Sequence, residues 1–336
     1  MGGLFLNAPS SRWAIATLRP VMAGPRLAPM SVSEILETTA RLTRRHLRVL
    51  VALAALFLTP ALLLGAITGI ALFEALAPIV PPAPGEPVTL TDAQLATILR
   101  AFAIGFAVSL LTSLAGAIMA VAASHVVDGD YRAARVTVRQ AAGHAIRRAL
   151  AVFVATIVDL AAIIAIAAAG VLAAVSLAAF AGDPSAGGPG AFLALIVVVV
   201  TVLVALTVAV RWTLAMPVLA VEQVGPIKAL ARSWRLTGSA IWRSFGLLLL
   251  VSLAVGVLGA LVTEILGLTL ADLPFGAASS AAIVIRIAVG SVVAIVTAPI
   301  VPVALTVLYF DMRVRREGLP SGTVTGSESS TEGPPA

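Results

Sequence analysis

The sequence predicts an all-α polytopic membrane protein with six transmembrane helices and three cytoplasmic interfacial amphipathic helices. The first reason is composition: 60% of the 336 residues are hydrophobic and 11% are charged, against about 25% charged residues in soluble domains. Secondly, the mean hydropathy is +1.07, so a lipid bilayer is the expected solvent. Thirdly, when the loops are assigned alternately to two sides, 20 of the 22 basic residues fall on one side.

Six apolar stretches are long enough to cross a bilayer, which takes about 20 apolar residues in a helix. Pro60 in the first stretch, and Pro299 and Pro302 in the last, predict bends because proline disturbs an α-helix. The predicted spans are residues 49–76, 94–123, 150–180, 191–210, 245–270 and 281–310.

Three short amphipathic helices precede spans one, three and five. Ser31 with Glu34, and Thr137 with Gln140, fit capping boxes that satisfy free N–H groups at a helix start. The third helix starts at Gly225-Pro226, with proline at the first helical position. The apolar faces are Val32, Ile35, Leu36 and Leu42; Val138, Ala141, Ala142, Ala145 and Ile146; and Ile227, Leu230, Ala231 and Trp234.

The recurrence of these helices favours three parallel repeats of about 31–125, 136–223 and 225–310 within a membrane domain of residues 31–318. Residues 1–30 contain four prolines and no adequate signal-peptide core, which predicts a disordered cytoplasmic extension. Residues 319–336 lack apolar side chains to bury and are predicted to form a disordered cytoplasmic tail.

The distribution of basic residues predicts a multi-pass protein of the bacterial plasma membrane with both termini in the cytoplasm. The interfacial helices then lie against an anionic inner leaflet. The expected partners are therefore the lipid bilayer and a membrane or cytoplasmic protein. No nucleic acid is expected, because aromatic platforms and a soluble module are missing. The predicted interface residues are Arg44, Arg45, Arg147, Arg148, Arg211, Trp212, Trp234 and Arg235.

Asp159 lies about ten residues into span three, roughly 15 Å deep at 1.5 Å per residue. A charge at this depth is costly and is a place to look for function. Two interpretations stand: a protonated carboxyl group that bonds a polar neighbour, or a proton or cation site. The candidate neighbours at similar depth are Thr59, Ser109, Thr112, Ser113, Thr201 and Ser291.

Four charged residues fall near the outer ends of spans one, two, five and six. Glu74 and Glu264 with Arg100 and Arg286 predict ion pairs that hold the helices together. An outward-facing polar pocket and single arginines that extend to the interface are the alternatives.

No catalytic residue, cofactor or metal site is expected. The chain has no cysteine, and His46, His125 and His144 lack zinc-type spacing, so they are expected to be solvated interface residues. No Walker loop, G-x-S-x-G or kinase signature is present.

Three stretches, 26–50, 211–250 and 308–318, resemble a family of actinobacterial membrane proteins named after the membrane domain of glycerophosphoryl diester phosphodiesterase. The resemblance covers about 26–319, with threonine at position 43 and phenylalanine at position 310 where members often carry tyrosine. The motifs are Ser33-Glu34-Ile35-Leu36, Arg44-Arg45-His46, Pro217, Gly225-Pro226, Ser233-Trp234-Arg235 and Asp311.

The resemblance implies a membrane anchor without the enzyme's activity. In the named enzyme, hydrolysis belongs to a separate soluble barrel, and such a barrel needs about 250 residues. The leading hypothesis is a non-enzymatic scaffold or partner subunit. The alternative is a transporter or a protein that handles lipids or solutes through Asp159. An intramembrane hydrolase would need a nucleophile beside a base, and the sequence shows no such pair.

Overall fold

The computed structural model describes residues 29–76, 91–180, 189–238, 240–271 and 280–318, and within these ranges the chain is helical with no strands. Ten α-helices are described. They are α1 (Val32–Leu76), α2 (Asp92–Tyr131), α3 (Val138–Arg147), α4 (Ala149–Phe180), α5 (Pro189–Trp212), α6 (Ala215–Val221), α7 (Pro226–Thr237), α8 (Ile241–Ala271), α9 (Ser280–Thr297) and α10 (Ile300–Glu317).

The predicted six-span, all-α architecture is confirmed. Six helical stretches within the described residues are long and apolar enough to cross a membrane. The predicted tail 319–336 lies outside the described residues, as does the predicted extension up to residue 28. Met30, which was predicted to be disordered, is instead bonded through its backbone to the end of α10. The spans are Val32–Leu72, Asp92–Tyr131, Ala149–Leu177, Phe192–Val221, Ile241–Leu266 and Val284–Glu317.

The first predicted interfacial helix and the first span form one helix, α1. The Ser31 capping box is present, since the Glu34 N–H group donates to Ser31 Oγ at 3.3 Å. The backbone leaves the helical region at His46 (φ −107°, ψ 15°) rather than at the predicted Pro60. A local break therefore stands where the basic stretch meets the apolar one.

Helix α2 is longer than predicted. It begins with a capping box between Thr91 and Gln94, and it continues to Tyr131 instead of ending near Ala123. Its last turns are among the most buried parts of the chain, with Ala122 and Ala123 fully buried. The hydrophilic segment after residue 123 is thus a helix end that packs into the protein, and not a loop.

Helices α3 and α7 begin where the sequence predicts, at the Thr137 capping box and at Pro226. Helix α3 buries three alanines of its predicted apolar face, Ala141, Ala142 and Ala145. Of the predicted apolar face of α7, Leu230 is buried, whereas Ile227 is 59% exposed and Ala231 is exposed as well, as a face that lies against lipid would be. Its inward side consists of Ala229, Leu230, Ser233, Leu236 and Thr237. The interfacial location of these helices and the threefold repeat remain predictions.

The sixth span is broken as predicted at proline. Helix α9 ends at Thr297 and α10 begins at Ile300, with Pro299 between them. Pro302 lies in the first turn of α10, where a missing N–H group costs no hydrogen bond.

The buried core is concentrated at one end of the helices, which we call the basic end. The basic end comprises residues 30–48, 124–148, 211–238, 240–243 and 309–318, and the core continues from it into the adjoining turns of the spans, as at Leu53, Val121 and Val307. The spans differ in how much the protein itself covers them: the most apolar window of Val284–Glu317 is 44% buried, while that of Phe192–Val221 is 6% buried. In lipid the exposed apolar side chains need no protein cover, since the acyl chains are equally apolar.

Helices α4 and α5 pack closely at Gly170. A Cβ atom added to Gly170 would lie 2.2 Å from Thr201 Oγ1 and 2.7 Å from Thr201 Cβ. Small residues allow such backbone approach between membrane helices. Thr201 is thus a packing residue, held by its own hydrogen bond to the Val197 carbonyl oxygen at 2.7 Å.

We predict that Gly170→Ala destabilises the protein. The new methyl group would force α4 and α5 apart, and overpacking of this kind costs about 1–3 kcal/mol. The measurement is the thermal unfolding midpoint in detergent. The control is Gly256→Ala in α8, where no atom of a described residue lies within 4 Å of an added Cβ. There alanine should leave the midpoint unchanged or raise it, because alanine favours helix over glycine by about 1 kcal/mol. Equal effects at both sites would contradict the prediction.

Candidate functional site at the basic end

Asp311 in α10 is a fully buried carboxylate with three partners. Arg315 Nε donates to Asp311 Oδ2 at 3.0 Å, and an Arg243 nitrogen lies 3.1 Å from the same oxygen. The Met30 N–H group donates to Asp311 Oδ1 at 2.7 Å. A buried charge is tolerated only when it is paired and hydrogen-bonded. Asp311 therefore ties the segment before α1 and the start of α8 to α10.

Asp130, at the end of α2, makes the equivalent connection to α1. Its side chain is 5% exposed, and its Oδ1 atom lies 3.1 Å from an Arg45 nitrogen and 2.9 Å from His46 Nε2. His46 is the residue at which α1 departs from helical geometry. The local break thus coincides with a contact that joins α1 to α2.

A third cluster joins α6, α7 and α10 through Glu222. Tyr309 Oη donates to Glu222 Oε1 at 2.8 Å, and Arg232 Nε donates to the same oxygen at 3.1 Å. Arg232 also pairs with Glu317. Burial acts to lower the pKa of Arg232, but its hydrogen bonds to Glu317 and Glu222 outweigh burial and raise the pKa. The guanidinium therefore stays charged between two carboxylates.

Two histidines stack between α2 and α3. The His125 and His144 rings are parallel, with centroids 4.1 Å apart, and His144 Nε2 lies 3.1 Å from the Ala220 carbonyl oxygen. That nitrogen carries the proton if it donates to the carbonyl group. Burial lowers the pKa of His144, and His125, Arg148 and Arg147 lower it further, against the opposing bond to Ala220. The expectation that these histidines are solvated is wrong, because both are half-buried.

Of the predicted interface residues, some are paired and others are free at the surface. Arg45 binds Asp130, and Arg148 donates to the Val224 carbonyl oxygen at 3.2 Å. The Arg211 guanidinium lies 4.6 Å from the centre of the Trp234 ring, and the Trp212 and Trp234 rings are 6.2 Å apart. The exposed members are Arg44, Arg45, Arg147, Trp234 and Arg235, of which Arg45 and Trp234 also make the contacts given above.

The polar residues predicted to surround Asp159 form no hydrogen bonds with it in the part of the chain that the structure describes. Asp159 Oδ1 is buried and has no hydrogen-bond partner among the described residues. Thr201 packs at Gly170, which lies eleven residues from Asp159 along α4, or about 16 Å. Thr112 bonds its own helix at the Val108 carbonyl oxygen. The other predicted neighbours form no hydrogen bond with Asp159 among the described residues: they are the exposed Ser109 and Ser113, and the half-buried Thr59 and Ser291.

The predicted outer ion pairs are not found in the part of the chain that the structure describes. Arg100 and Glu264 are exposed, and Arg286 is half-buried. None of these three forms an ion pair with a described residue. The side chain of Glu74 lies outside the described residues.

The residues that sequence reasoning missed are the acids at the basic end. Asp311 with Arg315, and Asp128 with Arg132, are spaced four apart on a helix, which is a readable signal for an ion pair. The sequence spacing gives no indication that Glu222 pairs with Arg232, or that Asp130 pairs with Arg45. Among the described residues, no group of three or more histidine and acidic side chains is arranged to hold a metal.

An open apolar groove of about 690 Å³ lies beside this network, between α4, α5 and α7. Arg235 is the charged residue among those that line it, and the other lining side chains are apolar or aromatic: Val158, Trp212, Ile227, Leu230, Ala231 and Trp234.

We predict that Asp311→Asn strongly destabilises the basic end. The change leaves Arg243 and Arg315 without their carboxylate, and breaking a buried pair costs about 3–5 kcal/mol. The measurement is the free energy of unfolding in detergent. The control is Glu37→Gln, which removes an exposed pair with Arg41 and should change little because water screens it. A stable Asp311→Asn protein would show that the buried pairs are dispensable.

We also predict that acidification destabilises the protein through His144. Its pKa is lowered in the folded state, so below about pH 6.5 the unfolded chain binds the proton more tightly. Stability is therefore complete above that pH and falls as the pH decreases. His144→Gln keeps a donor for Ala220 but does not titrate, so the thermal midpoint should fall less between pH 7 and pH 5. An identical decrease in the variant would rule out this role.

A comparison with known protein families finds a match in the second half of the chain. The family model for the membrane domain of glycerophosphoryl diester phosphodiesterase matches residues 191–328. The predicted resemblance is confirmed over this range, which includes the stretches 211–250 and 308–318, whereas 26–50 lies outside it. No curated protein and no solved structure matches the chain. The match and the six apolar helices identify an integral, multi-pass membrane protein.

Proposed function

We propose that this multi-pass membrane protein, in which residues 191–328 match a membrane-domain family, is a non-enzymatic scaffold or partner subunit. In this proposal the protein lies in the bacterial plasma membrane, with both termini and the basic end in the cytoplasm. The observation that carries the proposal is the number of unpaired basic side chains on the surface of the basic end, whose interior is held together by ion pairs.

The acids of the basic end are used inside the protein. Asp128, Asp130 and Asp311 bind arginines from the ends of α1, α2, α8 and α10. Glu222 and Glu317 share Arg232. These acids and bases neutralise one another, which removes the free groups that acid–base catalysis requires. The network therefore supports a structural role.

The remaining positive charge faces outward. At the basic end, seven exposed basic side chains have no acidic partner within 4 Å among the described residues. A surface of this kind attracts anionic headgroups and the acidic segments of a partner protein. The seven residues are Arg44, Arg48, Arg135, Arg139, Arg147, Lys228 and Arg235.

A second candidate function is the handling of a lipid or solute. It is favoured by Asp159, whose Oδ1 atom is buried within a span and lacks a hydrogen-bond partner among the described residues. An unsatisfied buried polar atom is costly in lipid. A specific ligand that bonds this carboxyl group would remove the cost.

We predict that the tagged protein, purified from its own membrane in nanodiscs, retains one protein partner at a constant ratio. The triple variant Arg44→Gln, Arg139→Gln and Arg147→Gln should lose most of that partner, because it removes three unpaired charges from the outer surface of the basic end. The measurement is quantitative mass spectrometry of the retained proteins, lipids and solutes, with thermal unfolding to verify that the variant is folded.

The matched control is Arg100→Gln with Arg286→Gln, which removes charges far from the basic end and should leave the partner bound. Retention of no partner, or of the same amount by the triple variant, would reject the scaffold role. A stoichiometric lipid or solute without any protein would favour the second candidate.

A further inference from the structure

We infer that the groove between α4, α5 and α7 binds one anionic phospholipid, with an acyl chain along the groove and the phosphate group at Arg211 and Arg235. The inference requires only that the chain spans a membrane, and it does not depend on the scaffold role. It also concerns arginines other than those tested in the partner experiment.

The groove is apolar, and none of the described residues covers it. Its volume of about 690 Å³ falls within the range of about 300–1,000 Å³ that is usual for ligand sites. Ile227 is 59% exposed and Trp234 is 38% exposed along its wall. Apolar surface of this extent favours an apolar occupant.

The shape of α7 explains why the groove stays open. Its inward side is anchored by Ser233, which accepts a hydrogen bond from the Leu214 N–H group at 3.2 Å and donates to the Arg211 carbonyl oxygen at 2.7 Å. The helix therefore cannot turn to bury Ile227 and Trp234 without breaking these bonds. Its second apolar side is left for a molecule from outside the chain.

The positive end of the groove lacks an acid. Arg235 lines the groove, and its exposed side chain has no ion pair within the described part of the chain. Arg211 rests against Trp234, and its Nε atom is buried without a hydrogen-bond partner among the described residues. A guanidinium group is suited to phosphate because its planar N–H groups can donate in pairs. The two arginines thus provide unsatisfied donors beside the same tryptophan.

The combination of these features matches a phospholipid. Val158 lies within the membrane span of α4, where an acyl chain would contact it. Trp212 and Trp234 also line the groove, and tryptophan is typical of the headgroup level. Arg235 lines the groove as well, and Arg211 packs on Trp234. The groove therefore combines apolar residues for an acyl chain with basic residues for an anionic headgroup, whereas a small, fully polar ligand would make no apolar contact with Val158.

The test is native mass spectrometry of the detergent-solubilised protein titrated with phosphatidylglycerol or phosphatidylcholine of equal chain length. The wild-type protein should bind phosphatidylglycerol about tenfold more tightly, because the choline cation of phosphatidylcholine offsets the attraction of its phosphate group to the two arginines, by about as much as one charge-assisted hydrogen bond contributes. In Arg211→Gln with Arg235→Gln, the affinities for the two lipids should become equal. The control is Arg41→Gln, an exposed arginine of α1 that pairs with Glu37 away from the groove and whose loss should preserve the preference.

A second variant tests the apolar part without touching the charges. Ala231 is exposed and lines the groove, so Ala231→Trp should fill the groove and weaken both lipids about tenfold. Equal binding of the two lipids by the wild-type protein would overturn the inference. So would a preference that survives the double arginine change, or unchanged binding by Ala231→Trp. Displacement of phosphatidylglycerol by inorganic phosphate alone would indicate a phosphate site, and a groove closed by a second copy of the chain would indicate a protein interface.

Discussion

The buried carboxylate of Asp311 is the interaction on which the basic end depends. It bonds Met30, which is 281 residues away in sequence, together with Arg243 and Arg315. Removing a charge from water is costly, so these partners must stay in place for α10 to remain buried. The other polar contacts of α10 are arranged around this anchor. They are the Thr306 bond to Ser124, the Tyr309 bond to Glu222 and the Arg313 pair with Glu317.

The part of the protein within the bilayer and the basic end are stabilised by different interactions. Within the bilayer, apolar side chains gain little by leaving lipid for protein, so helices associate through close packing such as that of Gly170 against Thr201. At the basic end, apolar burial and charge pairing act together. Leu214 and Leu308 are fully buried in the core, and the ion pairs of Asp130 and Asp311 add polar contacts to it. This contrast agrees with the greater burial of the last span than of the Phe192–Val221 span, whose most apolar window is 6% buried even though α5 packs against α4 at Gly170.

Local signals allowed much of the fold to be predicted from sequence. Long apolar runs indicated the spans, Thr137 and Pro226 marked helix starts, and Pro299 marked the break in the last span. The candidate site was harder, because depth in the membrane does not determine which side of a helix a residue occupies. Asp159 and Thr201 have similar predicted depths yet lie at different contacts. The ion pairs that join distant segments could be found only from the three-dimensional structure. The rule that assigns the side rich in basic residues to the cytoplasm counts those residues without asking which acids pair with them.

Helix α7 connects the ion-pair network to the apolar groove. Arg232 on this helix is held by Glu222 and Glu317, and Ser233 on the next position is held at the junction between α5 and α6. These bonds fix the rotation of α7 about its own axis, and neighbouring residues on a helix point about 100° apart. Trp234 must therefore face the groove whenever Arg232 and Ser233 are bonded. The shape of the apolar surface is thus determined by polar contacts on the opposite side of the same helix, and both belong to the rigid end built around Asp311.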